Sequence, residues 1–174
     1  MKFYKIDKLL NLIESKNRNK CISILENHKD RFYSSPGSLT KHQNWKGGYV
    51  HHLEEIMSMA VNFYKLMFKD RIPNFTLSDA LFVLFLHDLE KPFKYVEPKI
   101  LKDKDAKSDK DFVSDFLKKE KIKLNKIQLN ALTYIHGEGK DYHATKRIQN
   151  PLGAFCHMCD NNSARIWFDY PKNK

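Results

Sequence analysis

Three short stretches carry side chains suited to metal chemistry. In "LFVLFLHDLEK" a histidine and an aspartate, His87 and Asp88, stand side by side where an apolar run stops. In "GGYVHHLEEI" two histidines, His51 and His52, follow a glycine pair. In "AFCHMCDNN" Asp160 closes an apolar stripe that also holds His157. His87 and Asp88 are either ordinary polar residues at a helix end or two ligands of a metal. A carboxylate carried on an apolar face is costly to bury without a partner. A cation is one way to make both aspartates tolerable. Imidazole with carboxylate is a mixed N/O donor set, better matched to Mn²⁺, Fe²⁺, Co²⁺, Ni²⁺ or Zn²⁺ than to the all-oxygen cage of Ca²⁺.

The elements that must position these groups are helical. Apolar residues recur at helical spacing along nearly the whole chain, β-branched alternation is almost absent, and there is no internal repeat. "IDKLLNLIES" and "KCISILENH" read as two short helices, and "YVHHLEEIMSMAVNFYKLMF" as a long one. "RIPNFT" breaks it, with Thr76 or Ser78 free to cap the following helix, "LSDALFVLFLHDLEK", and Pro92 either ends that helix or starts a new short turn. "DFVSDFLKKEKI" and "NKIQLNALTYIHG" are two more, the second stopped by Gly137. Asn150 then caps a closing helix with Pro151 at its first position. "FYSSPGSLTKHQNWKGG" reads as an ordered loop, and residues 97–110 as an exposed charged connection. The expected fold is all-α, a single-domain helical bundle of about six to eight helices.

Bulk properties narrow the function classes. The chain has 174 residues and a net charge of +10, which suits a polyanionic partner or a lysine-rich surface equally well. Much of the lysine lies in mixed-sign stretches such as "KDKDAKSDKD". No apolar run approaches the ~20 residues of a membrane span. "MKFYKIDKLL" lacks the apolar block of a signal peptide, so a cytoplasmic location is expected. Three cysteines, Cys21, Cys156 and Cys159, argue against a disulfide framework. "CHMC" on a helix, with no second pair, reads as two small core residues rather than a zinc knuckle.

The order of the motifs carries more than any one of them. "SSPGSLTKHQNWKGGYVHH", then "LHDLEK", "YIHG" and "CHMCDNNSAR" resemble the HD-domain superfamily of metal-dependent phosphohydrolases over roughly residues 34–166. Similar arrangements occur in the HD modules of bacterial 3′-to-5′ exoribonucleases and in small phage or bacterial nucleotide phosphohydrolases. The resemblance implies an HD core over 34–168, an N-terminal helical segment, 1–33, packed on it, and a tail over 169–174. It implies the metal ligands His52, His87, Asp88 and Asp160. His51 and His52 point about 100° apart on a helix, so only one faces the ion, and the resemblance selects His52. The implied reaction is hydrolysis of a nucleotide phosphate ester or anhydride by water activated on the metal. The alternatives are a phosphodiesterase acting on RNA or DNA 3′ ends, or a catalytically weak nucleotide-binding module.

Further roles follow from the same resemblance. Lys91 matches the lysine of the common "HDxGK" form and is expected at a phosphate, acting with Asp88 and His136 in catalysis. Glu90 replaces the usual glycine. Dinuclear members carry two successive histidines near His136, and Ile135 breaks that pair here, so one divalent ion is expected rather than two. That ion is one of Mn, Fe, Co, Ni, Zn or Mg, with Mn favoured. His42, Trp45 and His157 join Lys91 as expected substrate contacts. Trp45 either stacks on a base or packs the loop onto the core, and His157 either orients a ligand or is a packed residue beside Cys156. Gly47 and Gly48 suit a tight turn with close backbone approach. Lys140, Lys146 and Arg147 read as a generic basic surface. The expected partner is a nucleotide or other phosphorylated small molecule, with nucleic acid as the alternative and no membrane.

Overall fold

The computed structural model describes residues 1–96 and 108–169. These form α1 (Ile6–Leu10), α2 (Ser15–Asn27), α3 (Lys29–Ser34), α4 (Gly48–Met67), α5 (Leu77–Leu86), α6 (Lys91–Lys94), α7 (Asp109–Lys119), α8 (Lys126–Thr133) and α9 (Pro151–Asn161). Six of them are eight residues or longer. Among the described residues there is no β-strand, only an isolated bridge between His143 and Lys146. The all-α expectation holds. The expected charged connection over 97–110 and the 169–174 tail lie almost wholly outside the described residues.

Every residue from Ala80 to Leu86 is fully buried. A helix that is apolar on all sides has no solvent face and must be central. Accordingly α4, α8 and α9 pack around α5, and α9 also packs on α4 and α8. On the outside, α1 and α3 lie on α4, and α2 lies on α5. Cys21, Cys156 and Cys159 are buried thiols in this core. No helix among the described residues is long and apolar enough to cross a membrane.

Polar residues fix the helix ends. Thr76 and Asp79 form a capping box at the start of α5, and Asn125 and Gln128 form another on α8. The Gln128 side chain also donates to Asp79 Oδ1 at 2.7 Å, tying the two helix starts together. Ser78, the other expected cap, instead accepts from the Glu14 backbone N–H at 2.8 Å. Asn150 caps α9 by accepting from Gly153 N–H at 2.7 Å. The far end of α5 differs from expectation: the helix stops at Leu86 rather than running through Lys91. Pro92 has no N–H to offer the Asp88 carbonyl. Lys91 N–H donates there instead, at 3.0 Å, so the chain tightens into a turn. His87 and Asp88 sit in that turn.

The loop before α4 is fixed by close backbone approach. Gly47 has a left-handed φ of 80°. At Gly48 an added Cβ would lie 1.8 Å from the Gln43 carbonyl oxygen. That carbonyl also accepts from Gly37 N–H at 2.9 Å, and Ser35 O accepts from Tyr49 N–H at 3.1 Å. The contact leaves no room for any side chain at 48. Gly48→Ala is expected to destabilise the fold by about 3 kcal/mol, near the severe end for a point substitution. Thermal unfolding should show it as a fall in Tm of about 10 °C.

Candidate metal centre

Four segments far apart in sequence deliver five side chains to one spot. His52 comes from the second turn of α4, His87 and Asp88 from the turn after α5, Asp160 from the last turn of α9, and His136 from the chain just past α8. His52 Nε2 lies 3.2 Å from Asp160 Oδ1 and 3.8 Å from Asp88 Oδ2. His87 Nε2 lies 3.0 Å from Asp88 Oδ2 and 3.7 Å from Asp160 Oδ1. His136 Nε2 is 3.6 Å from Asp88 Oδ1 and 3.7 Å from Asp160 Oδ2. Donors about 2.1 Å from one ion lie no more than about 4.2 Å apart, and all these separations fall inside that limit. His52, His87, Asp88 and Asp160 are buried. The His136 side chain is 59% exposed and marks the open side.

The far ring nitrogens are already spoken for. His87 Nδ1 bonds the Leu84 carbonyl at 2.7 Å, so Nδ1 carries the hydrogen and Nε2 points inward. His52 Nδ1 bonds Ser163 Oγ at 2.9 Å, and Ser163 donates to Glu55 Oε2 at 2.7 Å. Gln43 Nε2 donates to the same Glu55 oxygen at 2.8 Å. This is a carboxylate–hydroxyl–imidazole chain of the kind that fixes a ligand's tautomer and ring angle. His52 Nε2 and His87 Nε2 are left fully buried with no hydrogen bond. Orphaned buried nitrogens aimed between two carboxylates fit a cation. The residues can hold a metal ion.

Electrostatics agree with the geometry. Burial lowers the His52 pKa to about 4, so its imidazole is neutral and ready to ligate. Burial also opposes charge on His87, but the Asp88 and Asp160 carboxylates outweigh it and raise the pKa to about 10. Burial acts against ionised Asp88, yet His87 and Lys91 hold its carboxyl well below the usual range. Asp160 is likewise lowered, by His52 and His87, against its burial. Glu90, buried beside Asp88, is pushed up to about 8 by burial and that neighbouring charge. Burial raises Glu55 to about 7 against its hydrogen bonds to Ser163 and Gln43.

The remaining candidates are dispersed around this cluster. Lys91 forms an ion pair with Asp88. The His42 ring lies 4.8 Å, centroid to centroid, from that of His52, and His42 Nδ1 bonds Gln43 Oε1 at 2.7 Å. The Trp45 indole N–H donates to His51 Nδ1 at 2.9 Å. His157 has both ring nitrogens engaged, one by the Ile135 carbonyl and one by Asn161 at 2.7 Å. It therefore anchors the backbone next to His136. Gln43 and Glu55 were not singled out from sequence, and Ser163 was marked only as part of "NNSAR", a segment the family resemblance places along the pocket. Glu55 stands three residues after His52 on α4, a spacing that shares a helix face. Ser163 lies in "NNSAR", three residues after Asp160, where the helix widens into a π turn over Asn162–Ile166. Gln43 carries no sequence signal at all.

Two outcomes follow. The proton on His87 must leave before Nε2 can bind a metal. Divalent-ion binding should therefore release about one proton at pH 7–8, with affinity rising about tenfold per pH unit until the pKa near 10 is passed. Titration calorimetry in buffers of different ionisation enthalpy reads the proton count. Without metal the sign reverses: charged His87 contributes stability that is complete below pH 6.5 and is lost as pH rises through about 10. Ser163→Ala should weaken metal binding about 10–100-fold while the fold persists, as loss of an outer hydrogen bond typically does. No family model, no curated protein and no solved structure matches this chain.

Proposed function

We propose that this protein is a divalent-metal-dependent phosphohydrolase, with Mn²⁺ the favoured ion and a nucleotide the substrate class suggested by the sequence resemblance. The observation that carries the reading is the convergence of His52, His87, Asp88, Asp160 and His136, with two orphaned imidazole nitrogens between two carboxylates. When bound there, a divalent ion supplies Lewis acidity toward a phosphoryl oxygen and lowers the pKa of water. The chain's own groups supply the rest. The Glu55–Ser163 pair and the Leu84 carbonyl hold His52 and His87 at fixed angles. Lys91, paired with Asp88, keeps a positive charge at the edge of the cluster for an incoming phosphate. His136, on the open side, faces the same space; burial lowers its pKa, so its neutral ring serves there as a proton acceptor.

Cleavage of RNA or DNA ends is the second reading. Lys146 and Arg147 line a surface hollow with Glu138 and Tyr142, and none of the five cluster residues is among the described residues that line it. Activity on nucleic-acid ends would fall steeply with salt, because several phosphate contacts release counterions.

The test is elemental analysis of protein purified without chelator, with phosphate release from a nucleotide and phosphate-ester panel in Mn²⁺. One ion per chain with turnover is expected. Asp160→Asn and His87→Ala should lose the ion and bring turnover to background. Full metal content and full activity in His87→Ala would sink the proposal.

A further inference from the structure

A cavity of about 710 Å³ opens beside the cluster, between α7 and α8. That volume is within the range of pockets that enclose a small organic ligand, about 300–1,000 Å³. His87, Glu90 and His136 line its inner end, so cavity and candidate metal centre are continuous. Beyond them the walls turn apolar: Leu117 on α7, Leu129 and Leu132 on α8, and Ile135. Among the described residues lining it, three are carboxyls, Glu90, Asp109 and Asp111, and one is a lysine, Lys118. Asp109 is held by Lys94 at 2.9 Å. Against these described residues, a second phosphate would meet chiefly aliphatic side chains and carboxyls.

We propose that this cavity receives the leaving group of the substrate, and that the group is uncharged and mainly apolar. The substrate is then a phosphate monoester of an aryl or branched-alkyl alcohol. The proposal rests on the phosphohydrolase reading and departs from the nucleotide that the sequence resemblance suggests. The phosphoryl group sits among the His and Asp side chains, and the alcohol portion points past His136 into the cavity. Water adds to phosphorus, the phosphorus–oxygen bond to the alcohol breaks, and the alcohol leaves carrying a proton. The products are inorganic phosphate and the free alcohol. A naphthalene-sized group buries most of its surface against Leu117, Leu129, Leu132 and Ile135, which supplies binding that a bare phosphate lacks.

The experiment compares 2-naphthylmethyl phosphate with methyl phosphate, adenosine 5′-monophosphate and adenosine triphosphate in Mn²⁺. The first two leave as alkoxides of similar character, so the comparison reads the cavity rather than the leaving group's acidity. A second readout needs no turnover: calorimetric binding of 2-naphthylmethanol to the metal-free protein. Leu132→Trp fills the cavity. Leu129→Glu charges its rim at a side chain that is 55% exposed, where folding is not at risk. Expected is a kcat/KM for the naphthylmethyl ester at least tenfold above each of the other three. Both variants should remove that advantage and weaken naphthylmethanol binding at least tenfold, with far-ultraviolet circular dichroism reading that each keeps its helices. Phosphate release that favours either nucleotide, with both variants behaving as wild type, would overturn the cavity assignment and leave the hydrolase reading standing. Naphthylmethanol binding that both variants abolish, with no ester hydrolysed, would uphold the cavity's ligand class and overturn the hydrolase reading.

Discussion

Two carboxylates buried within a few ångströms of each other must be neutralised, and the rest of this structure is arranged around that requirement. Asp88 and Asp160 both face the same space between α4, α5 and α9. Without positive charge the pair would be far too costly to keep ionised in the core. The chain offers two sources, the Lys91 ammonium and a proton on His87. A proton on His87 and a metal ion would compete for the same ring nitrogen, while burial keeps His52 neutral across the cluster.

Four of the five cluster side chains sit at or just past a helix end, where a single residue can adjust the backbone, and His52 sits in the second turn of α4. Pro92 forces the turn that carries His87 and Asp88. Gly47 and Gly48 let the loop that holds Gln43 press against the start of α4. The π turn after α9 places Ser163 against His52. The long central helices supply rigidity and burial, and the irregular residues at their ends supply aim.

Much of this was legible in the sequence, and the reasons are specific. Helical spacing and the apolar run at 80–86 gave away the all-α fold, because a helix with no polar face can only be central. Asn150, Pro151 and Thr76 marked helix starts, because their side chains or missing N–H groups satisfy the free ends. Asp88 and Asp160 stood out because carboxylates at the close of apolar stripes are costly. The exact stop of α5 was not legible, since the tightening at Pro92 depends on where the freed carbonyl finds its donor. Nor was the support for His52: Gln43 enters through a loop contact, and a glutamine in a loop carries no periodicity. Trp45 illustrates the limit most plainly. Its place in "HQNWKGG" is equally suited to a ligand or to a neighbour, and the indole bonds His51.

The chain of contacts that steadies His52 is also a statement about folding order. Gln43 bonds Ser163 across 120 residues and the Trp167 carbonyl across 124, and His52 meets Ser163 across 111. Closing loops of that length costs entropy before any contact rewards it. The first ligand therefore gains its tautomer and angle only when the last described turn has docked on the loop before α4. Partly folded chains hold the same histidines and aspartates but not their alignment. Metal capture at these residues would then require the finished topology, in which both halves of the chain have found each other.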